Sequence, residues 1–416
     1  MPALLIALAE VKRAAAQANF AIGELDADRA MAIVQACDEI IAGSWHGEFV
    51  VDVLQGGAGT STNMNMNEVV ANRALMLLGH EPGQYDRLNP NDHVNRSQST
   101  NDAYATAVRL SVYSKNRRLV QALAELEGAF RRKAEEFGSI PKLGRTQLQD
   151  AVPMTLGQEF GAFAATIGED RLRADEIGDL FLEVNLGGTA IGTGIGANPA
   201  YSERVLDCLC NSTGLKIVQA SNLFEATWDM GAFVLYSGLL KRIAVKISKI
   251  ASDLRLLASG PRGGLGEIKL PDRQPGSSLM PGKVNPVIPE AINQVAYRVF
   301  GADTTITFAA DAGQLQLNAF EPVIAWSLHE AIDLLTAGMD VLANNCVSDI
   351  SANPEACQDN LVRSTALATA LVPQIGYMRA AELAKTALRD GIDLESAVAK
   401  LEPSRLPLLH RALSPR

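Results

Sequence analysis

Residues 236–257 read YSGLLKRIAVKISKIASDLRLL. Within them Tyr236, Leu240, Ile243, Ile247, Ile250, Leu254 and Leu257 step by four and three alternately, which puts one apolar stripe along a single α-helix. Extended to its natural limits, about Ala226 to Ala258, that helix would be roughly 50 Å long at about 1.5 Å per residue. A second stripe, Val112, Leu119, Leu123, Leu126, Phe130 and Phe137, stops before Gly138 and Pro141. A third starts after Pro153 and runs through Phe160, Phe163, Ile167, Leu172, Ile177 and Phe181; two more are expected at Pro289–Phe308 and Ala312–Asn344. Long helices with compact connections need one another's apolar faces, so a mainly α fold is expected, with a central bundle of long antiparallel helices. Stripes of this length point to bundling between subunits as well as within the chain.

Around this centre the texture changes. Residues 1–100 read as a smaller N-terminal domain, with Glu48–Leu54 the best strand candidate; residues 101–350 form the long-helix bundle; residues 351–416, broken by Pro354, Pro373 and Pro403, read as a small helical C-terminal domain. The first residues could be taken for a signal peptide, but no positive charge precedes the apolar run, and Leu4, Leu5, Leu8 and Val11 recur at helical spacing. An amphipathic helix, a cytoplasmic location and no transmembrane segment are therefore expected.

The composition narrows the function. The chain has 416 residues, with 37 Lys and Arg against 47 Asp and Glu and a formal charge of −10, and no basic block offsets that average, so nucleic acid is not an expected partner. The five cysteines (Cys37, Cys208, Cys210, Cys346, Cys357) are scattered, and reduced thiols are expected. The five histidines never pair at a metal-ligand spacing, so no catalytic metal is expected.

Three polar, glycine-rich loops interrupt the helices: GGAGTSTNMN at 56–65, NRSQSTND at 95–102 and GSSLMPGKVNP at 276–286. Such runs bring backbone N–H groups and hydroxyls to a ligand and suit a carboxylate or an oxyanion. Each could also be an ordinary cap or turn, and Ser, Thr, Asn and Asp at 99–102 are favoured N-caps. The third loop is not a phosphate-binding loop, since Val284 follows Lys283 where a Ser or Thr would hold magnesium. The run GGTAIGTG at 187–194 lacks the G-x-G-x-x-G of a dinucleotide site.

Taken together, these loops resemble a known family. GSSLMPGKVNP at 276–286 is similar to the signature of the aspartase/fumarase superfamily. GGAGTSTNMNMNE at 56–68, HVNRSQSTND at 93–102, GRTQLQDAVPMTLGQEF at 144–160 and GQLQLN at 313–318 agree with that superfamily in order and spacing. Thr100 and Gln147 make the chain resemble its aspartate ammonia-lyase branch more than its fumarases.

The resemblance implies an aspartase/fumarase-like fold and a homotetramer whose active sites each draw on three subunits. It implies a small dicarboxylate or amino-acid substrate and a reversible elimination of ammonia from L-aspartate to give fumarate. It carries Ser277 over as general base, with the loop's backbone N–H groups and the nearby Lys283 lowering its pKa, so that Ser277 and Lys283 are the catalytic pair. Lys283 and Asn285 fall on groups that hold the α-carboxylate, with Thr146 beside them. Thr60, Ser99, Thr100 and Ser278 match the β-carboxylate site, and Asn101 and Gln147 the α-amino group. Proton abstraction beside a carboxylate makes a dianionic aci-carboxylate, so a nest of hydroxyl and amide donors is the equipment this chemistry needs. Gly276 and Gly282 bracket the serine loop as hinges of an expected lid. No cofactor is implied, although activation by a divalent cation, at no locatable site, stays open. Against that branch the start of the N-terminal domain is expected to be truncated and the C-terminal end short. A fumarate hydratase or another fumarate-releasing lyase, and a catalytically silent structural tetramer, remain the alternatives.

Overall fold

The computed structural model describes residues 1–276 and 278–412. Among the described residues fourteen α-helices are formed: α1 (Pro2–Ala21), α2 (Ala27–Ile41), α3 (Thr60–Leu77), α4 (Thr100–Glu136), α5 (Leu156–Gly178), α6 (Tyr201–Thr213), α7 (Gly231–Leu257), α8 (Val287–Asp311), α9 (Glu321–Asn345), α10 (Pro354–Arg363), α11 (Val372–Ile375), α12 (Tyr377–Asp390), α13 (Leu394–Leu401) and α14 (Leu406–Ala412). Strands are few and short, three two-stranded pieces of which only β1 (Pro141–Thr146) and β2 (Gln149–Thr155) form a hairpin of any length. The fold is mainly helical, and no helix among the described residues is long and apolar enough to cross a membrane.

Two compact units are present, each assembled from three stretches of chain. The first comprises Met1–Gln121, Leu172–Ala244 and Tyr297–Thr336, the second Ala122–Arg171, Val245–Ala296 and Ala337–Arg416. In the first unit α1 packs on α2 and α6 through Leu4, Leu8 and Val11. Phe181 stacks on Phe233 and on Tyr236, with ring centroids 5.3 and 5.2 Å apart. Tyr236 then donates its hydroxyl proton to Asn116 Oδ1 at 2.9 Å, and Asn116 Nδ2 donates to the Ala174 carbonyl at 2.8 Å, which ties α7, α4 and α5 together.

In the second unit Phe130, Phe137, Phe160 and Phe163 make the α4–α5 contact, their centroids 5.1 to 6.1 Å apart. Asn293 on α8 donates to Ser248 Oγ at 2.9 Å and Ser252 Oγ at 3.2 Å on α7. Buried Glu267 carries an ion cluster with Lys142 (3.2 Å) and Arg145 (2.7 Å) on β1, and Asn360 of α10 donates to it at 3.2 Å. A smaller apolar centre, with Leu361, Leu371, Leu383, Leu394 and Val398, gathers the C-terminal helices around Leu143.

The stripe of residues 236–257 is fully covered within the chain, every member at most 4% exposed. Other large apolar side chains on the same class of helix stay uncovered, among them Leu235, Val245, Tyr297, Phe308 and Trp326.

The structure departs from the sequence pattern in three places. Glu48–Leu54 forms no strand: after a 3-10 turn at His46–Glu48, its backbone bonds to side chains, Asn65 of α3 at Glu48 and Val50, and Asp52 and Gln55 at its end. Asn65 accepts from Val50 N at 3.1 Å and donates to the Glu48 carbonyl at 3.1 Å. One amide thus does what a neighbouring strand would do. The last long helix starts at Glu321 and not at Ala312, because Asn318 turns the chain: its amide donates to the Ala309 and Ala310 carbonyls at 3.0 and 3.2 Å and ends α8. Helix α7 starts at Gly231 because Asp229 captures the Gly231 N–H at 3.0 Å after a separate 3-10 turn at Glu225–Thr227.

Two consequences can be measured. Phe160 is fully buried at the centre of its aromatic cluster, so Phe160→Ala is expected to cost about 3–5 kcal/mol of unfolding free energy, read from urea denaturation. His329, buried against Ser111 Oγ at 2.8 Å and facing Lys115 and the chain's amino terminus, has its pKa pushed from 6.5 down to about 3, chiefly by burial. A histidine that holds its proton less tightly when folded leaves stability intact above pH 6.5, and that stability is lost as pH falls from there toward 3. The melting temperature should fall through that window, and less steeply in His329→Gln.

Candidate active site

In the first unit the polar loops converge at two helix N-termini. The loop before α3 reaches its helix through three consecutive left-handed residues, Gly57 (φ 89°), Ala58 (φ 53°) and Gly59 (φ 86°). Gly59 is required twice, by its φ and because a Cβ there would stand 2.5 Å from the Tyr104 ring. Thr60, the first residue of α3, is exposed and donates its hydroxyl proton to the Gly57 carbonyl at 2.6 Å. Gln55 braces the same turn, accepting from Thr62 N at 3.0 Å and donating to Thr62 Oγ1 at 2.8 Å.

The start of α4 is a capping box in which Asp takes the place usually held by Glu. Ser99 Oγ accepts from Asn101 N at 3.2 Å, and Asp102 Oδ1 accepts from Ser99 N at 2.9 Å. Thr100 Oγ1 accepts from Asn63 Nδ2 at 3.0 Å, one turn along α3 from Thr60. Ser99 and Thr100 each accept one bond from a protein donor, and each carries an O–H proton that can be given to a ligand. Asn101 is half-buried and donates Nδ2 to the Ala190 carbonyl at 2.8 Å.

Behind this surface lies a buried polar layer. Asn95 Oδ1 accepts from Lys12 Nζ (2.9 Å), Asn63 Nδ2 (3.2 Å) and Asn67 Nδ2 (3.2 Å), and Lys12 also donates to Gln98 Oε1 at 3.0 Å. Lys12 is wholly buried, and burial, opposed by the nearby Asp102, brings its pKa down from 10.5 to about 7. Asp102 is equally buried and is pushed up to about 6 by desolvation, in spite of the N–H groups it accepts. Lys12, Asn63, Asn95 and Asp102 were not among the residues singled out as ligand contacts. Their only sequence signal is that they lie in or beside the polar loops or, for Lys12, on the covered face of an amphipathic helix.

In the second unit Thr146 and Gln147 sit at the tip of the β1–β2 hairpin, whose register closes with Thr146 opposite Gln149. The two turn residues, Gln147 and Leu148, both have positive φ, 54° and 61°, the backbone of a tight hairpin turn that ordinarily favours Asn-Gly. Side chains other than glycine pay strain in this conformation, and here they project exposed from the tip. The loop at 276–286 folds back on itself: Asn285 Nδ2 donates to the Gly276 carbonyl at 3.0 Å, and the Gly276 backbone lies against Lys283 and Val284 so closely that no Cβ fits. Ser278 and Lys283 are exposed on this loop, and Gly282 turns it with φ 79°. Ser277 lies outside the described residues.

The remaining candidates do other work. His93 accepts from Asn89 N at 2.7 Å within the turn before Asn95, and its pKa is lowered, first by burial. All five cysteines are free thiols. A cavity of about 590 Å³ in the first unit is lined by Arg109, Glu183, Lys216, Glu225 and Asp229 among others and by none of the loop residues above.

Comparison with known proteins joins these loops into one family. A family model described as "Lyase" matches residues 3–301, and one described as "Fumarase C C-terminus" matches residues 367–415. The chain belongs to the aspartase/fumarase superfamily. The aspartate ammonia-lyase of Pseudomonas aeruginosa is 56% identical over 391 residues, covering 94% of this chain and 82% of that protein. A fumarate lyase:delta crystallin from Brucella melitensis, solved with cobalt bound, is 56% identical with a TM-score of 0.96, covering 99% of this chain and 90% of that one. A class II fumarase from Schistosoma mansoni is 33% identical with a TM-score of 0.93 and covers 100% and 90%. As a superfamily member the chain is a lyase, of the branch that breaks C–N bonds and releases ammonia.

The glycine of the first loop gives a direct check. Gly59→Ala, colliding with Tyr104 at a left-handed position, is expected to lower stability by about 1–3 kcal/mol and to raise KM about tenfold by displacing Thr60, both read on the purified variant.

Proposed function

We propose that this lyase catalyses the reversible elimination of ammonia from L-aspartate to give fumarate. The observation that carries the reading is the arrangement at 99–101: two hydroxyls that each accept from a protein donor and keep an O–H proton to give, next to an amide whose nitrogen is anchored on a main-chain carbonyl. Such a set donates to a carboxylate on one side and accepts from an ammonium on the other, and the identity with aspartate ammonia-lyases supports the same substrate.

In this reading Ser99, Thr100 and Ser278 donate to the β-carboxylate, and Thr60 joins them by turning its proton away from the Gly57 carbonyl. Lys283 and Asn285 hold the α-carboxylate beside Thr146, while Asn101 and Gln147 meet the α-ammonium. Ser277, as an alkoxide, takes a proton from the carbon bearing the β-carboxylate, and the electron pair of that C–H bond moves into the carboxylate to form the aci dianion. Donors fixed in advance at those oxygens stabilise charge that exists only after proton transfer, and so lower the barrier instead of merely tightening binding. The dianion then collapses to the C=C bond of fumarate, and the C–N pair leaves with the nitrogen as ammonia. The amine is already protonated, so no separate general acid is needed, and the chemistry calls for no cofactor. Closure of the 276–286 loop about Gly276 and Gly282 would exclude water and bring Ser277 to the substrate.

The candidate residues fall in two units, Thr60 and Ser99–Asn101 in one, Thr146, Gln147 and the serine loop in the other. We propose a cytoplasmic homotetramer in which three subunits complete each site, with the uncovered Leu235, Val245, Tyr297, Phe308 and Trp326 supplying apolar area for assembly.

Fumarate release, followed by its ultraviolet absorbance with L-aspartate and (S)-malate offered separately, tests the reading. Fumarate and ammonia from L-aspartate alone are expected, with kcat at least ~100-fold lower in Ser277→Ala. Turnover of malate instead would make the enzyme a hydratase, and silence on both from an assembled protein would mark a structural homologue.

A further inference from the structure

The glycine-rich run at 187–194, which lacks the G-x-G-x-x-G pattern, meets the candidate residue Asn101 at one carbonyl. The Ala190 carbonyl accepts from Asn101 Nδ2 at 2.8 Å. A main-chain carbonyl can only accept, so this contact fixes which end of the Asn101 amide is nitrogen and leaves Oδ1 as its accepting end.

The turn that carries this carbonyl is held by Asp102. Its Oδ2 accepts from Gly187 N at 3.1 Å and Thr189 N at 2.9 Å, while its Oδ1 accepts from Ser99 N at 2.9 Å. One carboxylate therefore pins the turn that orients Asn101 to the loop that carries Asn101. The backbone of Asn101 is held from the same side, since Asn185 Nδ2 donates to its carbonyl at 2.9 Å. The turn has little freedom to adjust. Gly187 is left-handed at φ 92°, a Cβ there would collide with Ser202, and Thr189, left-handed as well, donates Oγ1 to the Ile195 carbonyl at 3.1 Å.

We propose that Asp102 and the Gly187–Ala190 turn are positioning elements for substrate selection: they lock the Asn101 amide with its nitrogen on the turn, so that its oxygen is the end that accepts from the ligand. The site then rewards a ligand carrying a hydrogen-bond donor on the α-carbon and gives nothing to the same dicarboxylate skeleton without one. A neutral amide free to rotate would serve either. The inference rests on the substrate reading given above and assigns its preference for the amine to a lock outside the ligand's reach.

The test compares L-aspartate with succinate, which has both carboxylates and no amine, in wild type, Asp102→Asn and Gly187→Ala. Asp102→Asn leaves one acceptor oxygen among three N–H groups and turns an NH2 toward at least one of them. Gly187→Ala displaces the turn and leaves the Ser99 cap intact, so it keeps the test open if the first variant does not fold. The expected result is a rise of about tenfold or more in KM for L-aspartate, with the inhibition constant of succinate changed less than about twofold, in either folded variant. Equal weakening of both ligands, or no change in their ratio, would show a merely structural role and overturn the proposal while wild-type turnover of L-aspartate stands. A wild type that releases no fumarate from L-aspartate would overturn the substrate reading itself, and the selection argument with it.

Discussion

A carboxylate cut off from water must be compensated inside the protein, and the first unit's half of the site is organised around that demand. Asp102 has no solvent access and finds its compensation in N–H groups from two places far apart in sequence, the start of its own helix and the turn at 187–189. Removing any of those donors would leave charge stranded in a low dielectric. The polar layer around it extends the same logic: Lys12, equally buried, is tolerated because Asn95 and Gln98 accept its protons and Asp102 balances its charge. The half-buried residues at 99–101 inherit their geometry from this buried layer.

The second unit solves its version of the problem with Glu267. That carboxylate, also without solvent access, is met by Lys142 and Arg145 of one strand and by Asn360 of a C-terminal helix. Since Arg145 directly precedes Thr146, the ion cluster holds the strand that carries the hairpin tip. In each unit some of the residues expected to meet ligand adjoin this support: Thr100 and Asn101 lie within two positions of buried Asp102, and Thr146 follows Arg145, which pairs with buried Glu267. Rigid support lies beneath and adaptable polar groups above, the arrangement that preorganised sites require.

Much of the scaffold was legible because it is local. A stripe at helical spacing can be buried only as a helix, and the row from Tyr236 to Leu257 is covered as its periodicity demands. The helix ends were less legible, because side chains decide them: Asn318 and Asp229 each capture backbone groups that would otherwise have continued a helix. The segment at 48–54 has strand-like composition and lacks only a partner strand, a role that Asn65 fills. For the candidate site, residue types and order could be read from the loops, and the partners could not. Asn63 against Thr100 and Asp102 against Gly187 are pairings at 37 and 85 residues' separation, which no local pattern encodes. Nor does sequence announce that Gln147 and Leu148 are left-handed, since glycine, the usual marker of that backbone, is absent from the turn.

That hairpin tip sets limits on how the lyase can change. With the turn reduced to two left-handed residues, position 147 cannot take a β-branched side chain without heavy strain, and glycine there would relax the backbone but erase the side chain. The exchanges left open are among unbranched polar side chains carried on the same backbone. Divergence of the reaction through this position is therefore channelled: chemistry at the tip can be traded one side chain at a time while the strand beneath it, anchored on Glu267, stays where it is.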